Sequence, residues 1–368
     1  MKKVLLAAAI ATLSISAAQA APTLYGKFNV TLDQIDKNGF KDESVTKVNS
    51  NASRIGVKGE EKLTDKLSAV YLAEWQFNAD GDGESSFTNR NRFVGIKSDG
   101  IATLKVGQFD SYFKNAAGNK QDIFNDHNEL DMTAILVGED RLKNVIGFET
   151  DKKLLAGLAF NIMFQQGEES SALKNDAKGQ KGSRDSFGDG ISTSLTYDNK
   201  DFGLAAAVAG NFGVASKYNA YSSELGGNTI YSDAVRVTGS LDLKPAGLDG
   251  LVLGALWQTA KPTDDTVTTT SGTPATVTAF KGLKENAYGV TAAYVIPSTP
   301  VKLKAEYISS TTELNGRDDR KQDLYGIGAD YNINKQARFY GVVGQQKRDW
   351  LVKDDKKTVI GLGMEYNY

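Results

Sequence analysis

Histidine occurs once in the 368-residue chain, at His127, and cysteine is absent. A Ser-His or Asp-His catalytic pair therefore has a single candidate imidazole, and thiolate metal sites, Cys nucleophiles and disulfides are excluded. His127 stands in the polar run Asn125-Asp126-His127-Asn128, which is typical of a loop. We interpret it as a polar loop residue, and we predict no catalytic residues, no metal site, no cofactor and no enzymatic activity.

The N-terminus indicates the cellular compartment. Lys2 and Lys3 precede an apolar stretch from Val4 to Ile15, which ends on the small-x-small sequence Ala18-Gln19-Ala20. This pattern is typical of a cleaved secretory signal, and its apolar core is shorter than the roughly 20 residues of a membrane-spanning anchor. We therefore predict that residues 1–20 are a signal peptide that is removed.

The remaining chain, residues 21–368, contains no Pro-rich or charged linker, and we predict a single domain. The formal net charge of the full 368-residue chain, −2, is too balanced for a protein that binds nucleic acid. Beyond the signal, no apolar run is long enough for a transmembrane helix.

Alternation with a period of two is the main structural signal. From Leu24 to Leu32 the even positions are apolar or small, while Lys27, Asn29 and Thr31 interleave, as in a strand with one polar face. Similar alternation returns at residues 67–77, 156–164, 288–296, 301–307 and 325–331. A β-sandwich core would give the same alternation, so the strands alone do not determine the fold.

The connections distinguish a barrel from a sandwich, because tight turns alternate with long loops along the whole chain. The tight turns lie at residues 63–65, 98–100, 151–153, 198–200, 246–248, 297–299 and 332–334. The long polar connections lie near residues 37–51, 80–88, 111–139, 167–187, 213–231, 261–284, 310–321 and 347–356. This pattern predicts an all-β fold, a transmembrane antiparallel β-barrel of 16 strands, with an aqueous lumen and both termini on the short-turn side. The orientation of residues 90–97 stays open, because Phe93 and Val94 are both apolar.

The C-terminal segment also alternates, with Ile360, Leu362, Met364, Tyr366 and Tyr368 on one face. It resembles the terminal signal by which outer-membrane barrels are recognised for insertion, with Tyr366 and Tyr368 as its aromatic residues. The last residue of that signal is more commonly Phe. The resemblance implies that the barrel-assembly machinery is a partner.

Four segments resemble the trimeric general porins of Gram-negative bacteria, particularly the proteobacterial type also found in neisseriae. Residues 24–27 (LYGK) resemble the first strand, 53–60 (SRIGVKGE) the second, 89–96 (NRNRFVGI) the fourth, and 141–150 (RLKNVIGFET) the strand after the third long loop. The resemblance implies a homotrimer in the outer membrane, in contact with its lipids and lipopolysaccharide. It also implies a water-filled channel through which small hydrophilic solutes and ions diffuse passively.

In that family the third loop folds into the lumen and faces a basic part of the wall. The matching positions here are Lys27, Arg54, Arg90 and Arg141. Alternation supports an inward orientation of the arginines, because Arg54 alternates with Ile55 and Val57, and Arg141 with Leu142. An arginine on the lipid side would destabilise the barrel by about 2 to 4 kcal/mol at mid-membrane. The same alternation adds Lys105 and Arg236 as lumen candidates.

The acidic side of the constriction is less defined. Asp122, Asp126, Glu129 and Asp131 lie in the third long connection and would face the basic wall if the loop enters the lumen. A solvated surface loop would be equally acidic. Two departures from the family pattern bear on this: Gln108 stands where Arg is frequent, and the loop has no Pro-Glu-Phe-Gly type motif.

The sequence leaves three alternatives to a general diffusion channel. A substrate-selective channel would share this fold, and the sequence does not determine solute preference or ion selectivity. An adhesive barrel would use exposed loops such as the Thr-rich stretch at residues 264–278. A barrel lipase or protease would require a His-based catalytic group, for which only His127 is available.

Overall fold

The computed structural model describes residues 21–38, 44–82, 87–116, 118–167, 186–224, 227, 229–263, 268–271, 276–279, 281–350 and 355–368. The predicted signal peptide lies outside the described residues, as does part of the Thr-rich stretch. No helix among the described residues is long and apolar enough to cross a membrane.

Strands dominate the described chain. Their bounds are β1 (Thr23–Asn38), β2 (Val45–Ser50), β3 (Arg54–Lys62), β4 (Leu67–Gln76), β5 (Thr88–Ser98), β6 (Ala102–Asp110), β7 (Arg141–Thr150), β8 (Leu158–Gln165), β9 (Gly190–Asn199) and β10 (Leu204–Ser216). They continue with β11 (Ile230–Asp242), β12 (Leu251–Pro262), β13 (Thr268–Ser271), β14 (Thr276–Ala279), β15 (Lys284–Val295), β16 (Val301–Glu313), β17 (Arg320–Asn332), β18 (Ala337–Arg348) and β19 (Asp355–Asn367).

The strands form one closed antiparallel sheet. Strands β3 to β12 and β15 to β19 each pair with the next strand along the chain, β12 pairs with β15, and β1 pairs with β19, which closes the ring. β2 and β3 pair with successive parts of β1 and count as one span interrupted at residues 51–53, while β13 and β14 form a separate hairpin. The barrel therefore has sixteen spans in the described chain, and the predicted all-β barrel is confirmed. The seven short turns lie where alternation placed them.

The two faces of the sheet differ in polarity. In β1, Leu24 and Leu32 are more than half exposed, whereas Asn29, Thr31 and Asp33 are buried. An apolar outer face and a polar inner face suit a barrel that is surrounded by lipid and encloses water. In β5, Val94 is 60% exposed on the outer face and Phe93 packs inside, which settles the orientation that the sequence left open.

The third long connection, residues 111–140, has local structure of its own. It contains two short helices, Tyr112–Asn115 and Gly118–Gln121, and a 3-10 turn, Met132–Ala134. Ser111 Oγ accepts a hydrogen bond from the Lys114 amide at 3.1 Å, and Asp131 Oδ1 accepts one from the Thr133 amide at 2.8 Å. Both side chains act as N-caps, which satisfy amides that a short helical turn leaves without partners.

Candidate functional site

The third connection packs its apolar side against the barrel wall. Phe124, Leu130, Met132, Ile135 and Leu136 are buried in one cluster with side chains of β12 and of β15 to β19. Burial of such side chains stabilises a contact by about 1.5 to 3 kcal/mol each. Hydrophobic packing therefore holds the connection against this part of the wall.

Polar contacts tie the same connection to other strands. Gln121 Nε2 donates to the Gly239 carbonyl of β11 at 2.8 Å, and Thr291 Oγ1 of β15 donates to the Lys120 carbonyl at 2.6 Å. The Asn128 amide donates to Asn51 Oδ1 at 3.0 Å, beside β3. These contacts join the connection to widely separated parts of the ring.

A polar cavity of about 510 Å³ lies between the connection and strands β3 to β7. On the wall side it is lined by Arg54, Glu74, Gln76, Arg90, Asn91, Asp110 and Arg141. On the connection side it is lined by Lys114, Asn115, Asp122, Asn125, Asp126, His127, Asn128, Asp131, Thr133 and Glu139. Three of the predicted wall arginines and three of the predicted loop carboxylates therefore face the same space.

Each wall arginine has a carboxylate partner. Arg54 pairs with Asp126 of the connection. Arg90 Nε lies 2.5 Å from Glu74 Oε1, and Arg141 Nη2 lies 3.0 Å from Asp110 Oδ1. The cavity is thus lined by paired charges, two of them formed entirely within the wall.

Lys27 lies next to this cavity, in an ion-pair chain that crosses the barrel seam. Its Nζ lies 2.8 Å from Asp126 Oδ2 and 3.5 Å from Glu365 Oε2 of β19. From Glu365 the chain continues to Arg338 at 2.9 Å and on to Asp330 at 2.8 Å. Alternating charges therefore connect β17, β18, β19 and β1 to the connection.

Two other predicted residues lie elsewhere. Lys105 pairs with Glu149 and lies over the rings of Phe93 and Phe109, at 4.8 and 4.5 Å from the centroids. Glu129 pairs with Lys357 of β19. Neither residue lines the cavity described above.

Leu142 differs from the expectation of simple alternation, and Arg236 lies on the expected side but is buried. Leu142 is 4% exposed and packs with Phe109 and Val145 on the inner side, although alternation placed it toward lipid. The register shifts between Gly107 and Phe109, which changes the parity of this strand end. Arg236 is fully buried, where it donates to Gln258 Oε1 at 2.9 Å and pairs with Glu139.

The carboxylates of the connection differ in electrostatic environment. Burial raises the pKa of Asp122 well above its ordinary value, and the neighbouring Asp131 adds to this effect. Burial acts in the same direction at Asp126, but the cations of Arg54 and Lys27 outweigh it and lower the pKa of that carboxyl. Asp126 is therefore the more strongly ionised of the two carboxyls.

His127 is a loop residue as predicted, but it is only 4% exposed. Burial lowers its pKa, although Asp33 and Glu129 act in the opposite direction. Its Nδ1 accepts the Glu129 amide at 3.3 Å, so Nε2 carries the proton of the neutral ring. Among the described residues, no group of three or more His, Asp or Glu side chains is arranged to hold a metal ion.

Glu74 and Asp110, the partners of Arg90 and Arg141, were missed by the sequence reasoning. Glu74 lies between Ala73 and Trp75 in an apolar run, and its parity is that of the inner face. A carboxylate at an inward position was therefore a usable signal. Asp110 ends β6 beside a register shift, where parity gives no such signal.

Comparison with known proteins supplies the family. The sequence profile described as Gram-negative porin matches residues 5–350. The chain belongs to the Gram-negative porin family. This porin is 30% identical to the major outer membrane protein P.IB of Neisseria meningitidis serogroup B, over 48% of its own length and 53% of that protein. It is 25% identical to an outer membrane porin protein of Bordetella pertussis over the full length of both.

The porin spans about half the length of the neisserial relatives that it matches. Solved structures share its fold at low identity. The anion-selective porin from Comamonas acidovorans matches with a TM-score of 0.70 and 16% identity, covering 95% of this chain and 100% of that one. The trimer form of OmpT from Vibrio cholerae matches with a TM-score of 0.62 and 16% identity, covering 96% and 100%. The family and the fold point to a channel rather than to an enzyme.

Proposed function

We propose that this porin forms a water-filled channel for passive diffusion of small polar solutes and ions, and that the third connection narrows it. The observation that carries the proposal is the polar cavity of about 510 Å³ between that connection and the β3 to β7 wall. Diffusion along a solute gradient requires no energy source and no cofactor. Solute preference is left open by this arrangement.

The placement of the third connection inside the lumen is part of the proposal. Its partners Gly239, Thr291 and Asn51 belong to separated parts of the ring. Asp126 contacts Lys27, whose chain neighbour Phe28 is exposed on the outer face, and Arg54, the cross-strand partner of Lys27. A segment outside the barrel would have to cross the apolar face to make these contacts.

The charges of this neck favour polar solutes. Arg54, Arg90 and Arg141 stand on the wall, and Asp126 and Asp131 stand on the connection, across the same space. Fixed charges that line a water-filled space produce an electric field in it, in which water and dipolar solutes orient favourably and apolar molecules of equal size do not. The proposed site residues therefore act by orienting solutes, without any covalent chemistry.

We also propose a homotrimer in the outer membrane, surrounded by its lipids and lipopolysaccharide. The trimer form of OmpT, whose fold this chain shares, supports this assembly state. The aromatic C-terminus, with Tyr366 and Tyr368 exposed on the outer face, is proposed as the signal for the barrel-assembly machinery. Native mass spectrometry of the detergent-extracted protein tests the trimer, and a monomer alone would contradict it.

Liposome swelling tests the diffusion function. Vesicles that contain the refolded porin are placed in isotonic solutions of uncharged sugars of increasing size. We expect fast swelling with small sugars and a decline with size, without saturation. Vesicles with unfolded chain serve as the control. Equal rates with and without the folded porin would contradict the proposal.

A further inference from the structure

Phe124 of the third connection packs against Gly326 and Gly328 of β17. A Cβ added at Gly326 would lie 3.0 Å from Phe124 Cε2, and one added at Gly328 would lie 3.0 Å from Phe124 Cε1. The ring is 2% exposed, and Lys304 Nζ lies 4.6 Å from its centroid. The two glycines therefore allow the aromatic ring to contact the strand closely.

Leu130 of the third connection packs against Gly344 of β18 in the same way. It is fully buried, and a Cβ added at Gly344 would overlap its Cδ2. The same Cβ would lie 2.7 Å from the Tyr325 carbonyl oxygen. A side chain at Gly344 would therefore require a backbone shift or the displacement of Leu130.

Space, rather than backbone conformation, explains these three glycines. None of Gly326, Gly328 and Gly344 is among the glycines with positive φ, so any residue could adopt their extended backbone. Strand glycines otherwise weaken a sheet and often mark a place where another group approaches closely. Here the approaching groups include the side chains of Phe124 and Leu130 of the third connection, together with neighbouring strand atoms.

We propose that Gly326, Gly328 and Gly344 are positioning residues of the channel: they seat Phe124 and Leu130 and thereby set the width of the neck. The inference rests on the proposed function, because it takes the third connection as the constriction. The apolar side of the connection faces these glycines, and its polar side faces the cavity. A side chain added at one of these three glycines pushes the connection toward Arg54, Arg90 and Arg141 and narrows the neck.

Single-channel recording of the Gly344→Ala variant in planar bilayers tests whether the space at this glycine sets the width of the neck. We expect its conductance to fall by roughly a third, because a displacement of about one C–C bond is large relative to a solute-sized constriction. The matched control is Gly341→Ala on the same strand, where the nearest side-chain atom to the new Cβ is Leu362 Cδ2 at 3.4 Å. This control should keep the wild-type conductance.

The double variant Gly344→Ala with Leu130→Ala identifies the clashing group. Removal of the Leu130 side chain relieves its overlap with the new Cβ but not the contact with the Tyr325 carbonyl oxygen, so we expect conductance to return part of the way to the wild-type value. Equal conductance in Gly344→Ala, Gly341→Ala and wild type would overturn the inference, while wild-type porin without any conductance would overturn the proposed function instead.

Folding of Gly344→Ala is checked by heat-modifiable electrophoretic mobility. If this variant does not fold, Leu130→Ala alone tests the inference. Loss of the seated side chain should loosen the connection and increase open-channel current noise. Leu104→Ala, which removes a side chain 48% exposed on the outer face, is the control. Identical noise in both variants would overturn the inference.

Discussion

Lys27 Nζ lies 2.8 Å from Asp126 Oδ2, and this ion pair joins the first strand to the third connection. Arg54 pairs with the same carboxylate oxygen. All three side chains are less than 20% exposed. One carboxylate therefore balances two partly buried cations, and its removal would leave both without this partner.

The first prediction concerns Asp126→Asn. The variant leaves Lys27 and Arg54 with less negative charge nearby, so the neck becomes more attractive to anions. The reversal potential in a salt gradient should shift toward anion selectivity. Asp198→Asn, at an exposed turn where Asp198 pairs with Lys152 at 3.3 Å, should leave the potential unchanged. A shift of the same size in both variants would refute a special role for Asp126.

The second prediction concerns Arg54→Ser, Arg90→Ser and Arg141→Ser. Each change removes volume and one positive charge, and it leaves a wall or loop carboxylate without that arginine partner. We expect larger conductance and a shift toward cations. Charges about 4 Å apart interact by about 1 kcal/mol in water, which corresponds to a change in relative permeability of up to about fivefold. Reversal potentials of the three variants give the measurement.

Lys244→Ser is the control for the arginine series. Lys244 lies at a short turn, is well exposed and pairs only with Asp249 among the described residues. Such exposed pairs contribute about 0 to 1 kcal/mol. Wild-type reversal potentials in all three arginine variants would contradict the assignment of these residues to the neck.

The third prediction is a pH dependence of ion selectivity to which Asp122 and Asp126 contribute separate steps. Because the pKa of Asp122 is raised, this carboxylate becomes protonated, as pH falls, at a higher pH than an ordinary aspartate does. The lowered pKa of Asp126 means that it stays ionised below about pH 4 and becomes neutral only at still lower pH. Each protonation removes a negative charge, so both steps shift selectivity toward anions.

Variants assign the two steps of this titration. Asp122→Asn should remove the step at higher pH, and Asp126→Asn should remove the one at lower pH. The stability that ionised Asp126 provides is present above its unfolded pKa and is lost as pH falls through its folded pKa. A single step that neither variant alters would contradict the assignment.

The fourth prediction concerns the C-terminus. Tyr368 and Gly26 exchange two backbone hydrogen bonds of 3.1 Å at the barrel seam, and the Tyr368 ring lies 6.1 Å from that of Phe28. Deletion of residues 366–368 should sharply lower the amount of folded barrel in the outer membrane. Tyr368→Phe keeps the ring and the backbone, so it should assemble normally. Equal assembly of the deletion variant would contradict the proposed insertion signal.

The fold was predictable because the period of two and the alternation of short and long connections are local features of the sequence. Thus Leu24 and Leu32 are exposed and Asn29 is buried, as alternation required. Leu142 was misplaced because a register shift beside Phe109 reverses the parity there. Single-sequence periodicity contains no information about such shifts.

The partners in the site were less predictable than the site residues themselves. Arg90 and Arg141 pair with Glu74 and Asp110, which are neighbours only through cross-strand register. Glu129 was expected at the neck but pairs with Lys357 in β19. The path of a long connection depends on its packing, here of Phe124 and Leu130 on glycines of β17 and β18, and the sequence alone does not specify that packing.

The most direct test of the central claim uses a single cysteine, since the natural chain has none. Asn125 is exposed and lines the cavity, whereas Val94 is 60% exposed on the outer face of the barrel. Asn125→Cys and Val94→Cys are each treated with a charged methanethiosulfonate reagent during planar bilayer recording, and labelling is verified by mass spectrometry. The account predicts that modification at position 125 lowers the current, that a reductant restores it, and that position 94 shows no change. Unchanged current through fully labelled Asn125→Cys channels would contradict the claim that the third connection bounds the pore.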